Sequence, residues 1–78
     1  MWVYLLRSEK NRERLYVGLT ENIDRRVDEH NAGQADSTYK FRPWKCEVKI
    51  WFEDPEKARQ FESYLKSGSG RTFSKRHF

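Results

Sequence analysis

Between Leu15 and Gly33 the hydrophobic pattern changes period, and the change fixes a strand and a helix close together in the chain. Leu15, Val17 and Leu19 alternate with Tyr16 and Gly18, so a strand over Arg14–Thr20 would carry aliphatic residues on one face and a tyrosine and a glycine on the other. Past Thr20 the spacing becomes helical. Ile23, Val27 and Ala32 give an apolar edge, Thr20 or Asn22 can cap the first turn, and Gly33 is placed to end the helix in the left-handed conformation. Arg26 and His30 lie one turn apart on that helix and share a side of it. By itself such a pair suits an ordinary surface helix as well as a phosphate-handling site.

The preceding segment, Trp2–Ser8, is aromatic or aliphatic at nearly every position and predicts a strand covered on much of both faces. The polar run Ser8–Glu13 predicts a hairpin connection. Pairing Val3 with Val17 and Leu5 with Leu15 would set Tyr4 opposite Tyr16 and Trp2 opposite Gly18, so both tyrosines would share a face. Gly18 fits either a close approach to the sheet or a bulge at the strand end. Gln34–Arg42 reads as a loop that has room for a helical turn, and Pro43 closes it.

A third strand is expected over Trp44–Glu53, where Cys46, Val48, Ile50 and Phe52 face one way and Glu47, Lys49, Trp51 and Glu53 the other. Asp54-Pro55 is a strong helix start, an N-cap carboxylate followed by a proline whose missing amide costs nothing there. Ala58, Phe61 and Leu65 form the stripe of a helix running through Lys66. Glu62 falls inside that stripe. Either it pairs at the edge with a lysine or arginine, or it reaches a cleft and holds a hard cation through its carboxylate. Ser67-Gly68-Ser69-Gly70 is expected to break the helix, leaving a basic tail, Arg71–Phe78, with Phe73 and Phe78 as anchors.

These segments predict one α+β domain over residues 1–78, a small antiparallel sheet of about three strands flanked by helices. The 16 Lys and Arg against 12 Asp and Glu give a formal charge of +4, which suits a polyanionic partner without demanding one. One cysteine and two histidines are too few for a structural zinc site, and the lone Cys46 forbids an internal disulfide. A cytoplasmic home is expected. The first residues lack the form of a secretory signal, and no apolar run reaches membrane-spanning length.

Taken in order, Trp2-Val3-Tyr4, Tyr16-Val17-Gly18, Arg26 with His30, and Glu62 in a late helix resemble the GIY-YIG nuclease superfamily, in particular its compact single-domain bacterial members. The resemblance spans nearly the whole chain. It implies a metal-dependent endonuclease that hydrolyses phosphodiester bonds in DNA, with repair, recombination or processing as its setting. It further implies one divalent ion, Mg2+ or Mn2+, held by Glu62 against a phosphate oxygen. Arg26 would contact the scissile phosphate, and Tyr16 would accept a proton from the attacking water. Tyr4 and His30 would assist by orientation, hydrogen bonding or proton relay. A free phenol ionises near pH ~10, so Tyr16 needs a cation beside it for this role.

The motif has departures. The leading glycine of the first element is replaced by Trp2, Leu19 stands where some members carry a polar residue, and no asparagine follows Asn31, although many members have one after the glutamate. Ser69, Ser74 and Lys75 are the nearby polar residues available in its place. Lys40, Arg42, Arg71, Lys75 and Arg76 are candidate phosphate contacts, and Tyr39, Phe41 and Trp51 could stack on bases or cover the core. A domain of this size has little surface for reading base edges, so specificity would come from nucleic-acid shape or from a protein partner. A nucleic-acid-binding module without catalysis and a protein-interaction domain are the alternative readings.

Overall fold

Runs of β-branched and aromatic residues broken by short polar stretches favour strands; the first two pair as a hairpin, and the third returns after a helix to the other side of the first. A computed structural model describes residues 1–78. It contains β1 (Trp2–Ser8), β2 (Leu15–Thr20), α1 (Ile23–Asn31), a 3₁₀ turn (Tyr39–Phe41), β3 (Trp44–Trp51), α2 (Pro55–Lys66) and α3 (Gly68–His77). The three strands form one antiparallel sheet in the order β2-β1-β3, which makes the expected α+β class a finding. The central strand, β1, is nearly all buried, as its unbroken apolar run requires.

The Ser8 hydroxyl organises the hairpin. It donates to the Phe41 carbonyl at 2.6 Å and accepts from the amides of Lys10 and Asn11. The register differs from the sequence expectation by two residues: Tyr4 lies opposite Gly18, Leu6 opposite Tyr16 and Trp2 opposite Thr20. A shift of two preserves the faces, so the tyrosines still share one. The polar connection by itself leaves such slippage open, and the Ser8 turn settles it. β3 stops at Trp51 rather than Glu53, and an irregularity between Leu5 and Leu6 leaves Glu47 unpaired across from β1.

The two faces of the sheet carry different layers. Tyr4, Leu6, Ile23 and Trp44 form one buried cluster, joined by Tyr16, Val27 and Phe41, under α1. Val3, Ala58 and Leu65 form the other, joined by Val17, Leu19, Phe61, Phe73 and Phe78, under α2 and α3. Asn22 caps α1, its side chain accepting from the Arg25 amide at 3.1 Å, and Gly33 ends it at φ 81° as expected. Asn31 then fastens the helix to the sheet by bonding both the amide and the carbonyl of Trp44.

The expected basic tail is a helix. Ser67 ends α2 and caps α3, accepting from the Gly70 amide, so the Ser-Gly-Ser-Gly segment is a tight corner between two helices rather than the end of regular structure. Gly70 is what permits the corner: a Cβ there would lie 2.6 Å from Leu65 Cα and overlap the Tyr64 carbonyl. Folding back brings Phe73 and Phe78 onto the second cluster. No helix is long and apolar enough to cross a membrane.

Candidate active site

The alternation of β1 and β2 points Tyr4 and Tyr16 toward α1, and the helical period of α1 points Arg26 and His30 toward them. The structure brings all four together. Tyr4 and Tyr16 have ring centroids 6.2 Å apart, and the His30 ring packs edge-on to Tyr16 with centroids 4.8 Å apart. Tyr4 Oη lies 3.0 Å from His30 Nε2, and His30 Nδ1 lies 2.8 Å from Thr38 Oγ1. Thr38 Oγ1 in turn reaches the Ala35 carbonyl, and the Thr38 carbonyl accepts from the Trp44 indole at 2.8 Å.

This chain fixes its own protons. A carbonyl can only accept, so Thr38 donates to Ala35 and accepts from Nδ1–H of His30. Nε2 is then the acceptor, and the Tyr4 phenol donates to it. His30 and Thr38 are fully buried and Tyr4 nearly so. Burial, with help from the Arg26 charge, lowers the His30 pKa and keeps the ring neutral, against a weaker opposing pull from Glu29. Burial also raises the Tyr4 pKa, partly offset by the guanidinium of Arg26 beside it. Tyr4 therefore stays a phenol.

The close approach across the hairpin rests on Gly18. A Cβ at that position would lie 2.6 Å from Tyr4 Cζ, so the glycine makes room for the tyrosine ring. The irregularity in the sheet falls between β1 and β3, which leaves close approach as the role of Gly18. Tyr16, on the edge strand, is only half buried and its hydroxyl has no hydrogen-bond partner within the chain.

Arg26 donates to Glu29 at 3.0 Å, and this bond leads the factors that raise its own pKa. Arg25 reaches the other oxygen of Glu29 at 3.9 Å with its side chain 67% exposed, against 33% for Arg26. Only Arg26 adjoins the phenols.

Glu62 lies on α2, in the layer across the sheet from the tyrosines. Its side chain is 14% exposed, on the stripe of Ala58 and Leu65, and its carboxylate is ion-paired with Lys66. No group of three or more His, Cys, Asp or Glu side chains surrounds it. A divalent ion here would have one protein carboxylate and would take its other oxygens from water and phosphate, a set that suits magnesium. Tyr16 and Lys66 line one groove at the open edge of β2, on the α2 and α3 side of the sheet, and Glu62 is not among its lining residues.

The candidate phosphate contacts divide. Arg71 and Lys75 line that groove, whereas Arg76 is exposed outside it. Lys40 is exposed on the 3₁₀ turn, and Arg42 bonds the Tyr39 carbonyl and lies over Gly33. Tyr39 and Trp51 are exposed, while Phe41 packs in the first cluster beneath Arg14. Thr38 has no sequence signal beyond its polarity. The one available hint is Trp44, whose indole needs a buried acceptor and finds it at Thr38.

A three-stranded antiparallel sheet with two tyrosines on one face, backed by a helix that brings an arginine and a histidine to them, defines a small α+β domain with a polar cluster on one face of its sheet. The chain belongs to the GIY-YIG family: the sequence model of the GIY-YIG catalytic domain matches residues 1–76. It is also similar to a UPF0213 protein of Vibrio campbellii, 34% identical over 65 residues, which are 82% of this chain and 61% of that protein. The chain thus spans about 61% of the length of that relative. No solved structure matches it.

Proposed function

We propose that the chain is a metal-dependent endonuclease that hydrolyses phosphodiester bonds in DNA. The observation that carries this reading is the cluster in which a buried, neutral His30 holds the Tyr4 phenol while Tyr16, its hydroxyl free, stands open beside it. Tyr16, acting as the phenolate, takes the proton of the attacking water and becomes the phenol. Tyr4, kept protonated, does not compete for that proton and holds its place through His30 and Thr38. Arg26 opposes the charge that grows on the phosphate, and Glu29 holds its guanidinium in position until substrate arrives. When bound, Mg2+ or Mn2+ on Glu62 supplies Lewis acidity at a phosphate oxygen. Lys66, ion-paired with Glu62 in the free chain, is the neighbouring cation that would meet a backbone phosphate.

A second reading, a nucleic-acid-binding module, draws on the internal pairing of Arg26 with Glu29 and of Glu62 with Lys66, which leaves each charge already satisfied. The deciding experiment is a panel of duplex, single-stranded, flapped and branched DNA, with and without magnesium, on the wild type and Glu62→Ala. Magnesium-dependent nicking by the wild type, lost in Glu62→Ala with binding retained, is the expected result. Cleavage undiminished in the variant or in chelator would sink the metal role. Salt-sensitive binding without turnover on any substrate would favour the module, and absence of both would favour a protein-interaction domain.

A further inference from the structure

A groove of about 620 Å³ runs between the start of β2 and the region where α2 turns into α3. Arg14, Lys66, Arg71 and Lys75 line it against a single carboxylate, Glu13, and Tyr16 forms part of its wall. Charge of one sign in a cleft concentrates a polyanion there. Arg14 borders the groove but rests its guanidinium on the Phe41 ring, 4.5 Å from its centroid in the layer under α1, so Arg71 and Lys75 are the unpaired cations of the groove.

Ser74 supplies the independent observation. It lines the same groove, is 4% exposed, and its hydroxyl is the one buried side-chain oxygen or nitrogen in the protein without a hydrogen-bond partner. Buried hydroxyls are almost always paired, so an orphan on the floor of a basic groove lacks an acceptor that an anion would bring. A helical serine could have bonded the carbonyl one turn back, and this one does not.

We propose that the groove binds a backbone phosphate of the DNA strand adjacent to the phosphate attacked at Tyr16, with Arg71 and Lys75 neutralising it and Ser74 donating a hydrogen bond. The assignment rests on DNA being the substrate. It gives the strand a path along the open edge of β2, from the groove toward the tyrosines.

The test measures binding of the full chain to a labelled DNA duplex in chelator across a salt series. Arg71→Gln with Lys75→Gln should flatten the slope of log affinity against log salt by about 0.9, the share of the one phosphate they hold. Lys57→Gln with Arg59→Gln, exposed on α2 and outside the groove, serves as the control and should leave the slope unchanged. Ser74→Ala should weaken binding with the slope and the melting temperature retained, since it removes a hydroxyl that bonds nothing in the free protein. Equal slopes for the groove and control pairs, or undiminished binding by Ser74→Ala, would overturn the groove while leaving the nuclease reading intact. A wild type with no salt-dependent DNA binding would overturn both.

Discussion

The ring of Tyr4 occupies the space that a side chain on Gly18 would need, so the hairpin positions the phenol by leaving an atom out. Gly18→Ala should therefore push Tyr4 off His30 and cost about 1–3 kcal/mol, the usual range for overpacking. Chemical denaturation measures the loss. In a double-mutant cycle with Tyr4→Leu, the two changes should be clearly less than additive, because the smaller side chain vacates the contested space. Strict additivity would contradict the contact.

Stability should fall in acid through His30. Its pKa is lowered in the fold, so below about pH 6.5 the unfolded chain takes up a proton that the folded chain refuses. The contribution is present above that pH and is lost as pH falls through the lowered folded value. Melting curves from about pH 7.5 to about pH 5 should show a steeper loss for wild type than for His30→Gln, which keeps an acceptor and a donor but does not titrate. Tyr4 works at the other end of the scale: its raised pKa contributes stability below about pH 10 that is lost as pH rises through the folded value.

Thr38→Val should cost about 1–3 kcal/mol, because it leaves the buried Nδ1–H of His30 without an acceptor. Cleavage should fall with it, although Thr38 touches no substrate. Thr38→Ser, which keeps the hydroxyl, should restore most of the activity, and failure of that rescue would separate the network from catalysis.

The adjacent arginines should behave differently. Arg26→Ala should reduce the cleavage rate by about 10²-fold or more, whereas Arg25→Ala, more exposed and turned from the phenols, should change stability by less than about 0.5 kcal/mol and leave the rate near wild type. Single-turnover rates on one DNA substrate decide the matter.

Most of the fold is legible because strand and helix periods are local. Trp2–Ser8, the α1 caps and the Asp54-Pro55 start each announce themselves within a few residues. The strand register is not legible, since it depends on one hydroxyl, Ser8, gathering the amides of Lys10 and Asn11 into the turn. Nor is α3, because glycines that make a tight helix corner look the same in sequence as glycines that end a helix. Of the candidate site, Tyr4, Tyr16, Arg26 and His30 can be found from spacing and resemblance. Thr38 and the role given to Ser74 cannot: one matters for a bond it makes across the fold, the other for a bond it does not make.

The outer edge of β2 is an unpaired row of backbone donors and acceptors, the kind of surface on which sheets of separate molecules join. Here that edge runs beside Arg14, Lys66, Arg71 and Lys75, and a second copy approaching it would bring the same four cations. The repulsion that follows keeps like from joining like. The charges proposed to hold a DNA phosphate thus also oppose pairing through the sheet edge, and neutralising them would weaken both effects at once.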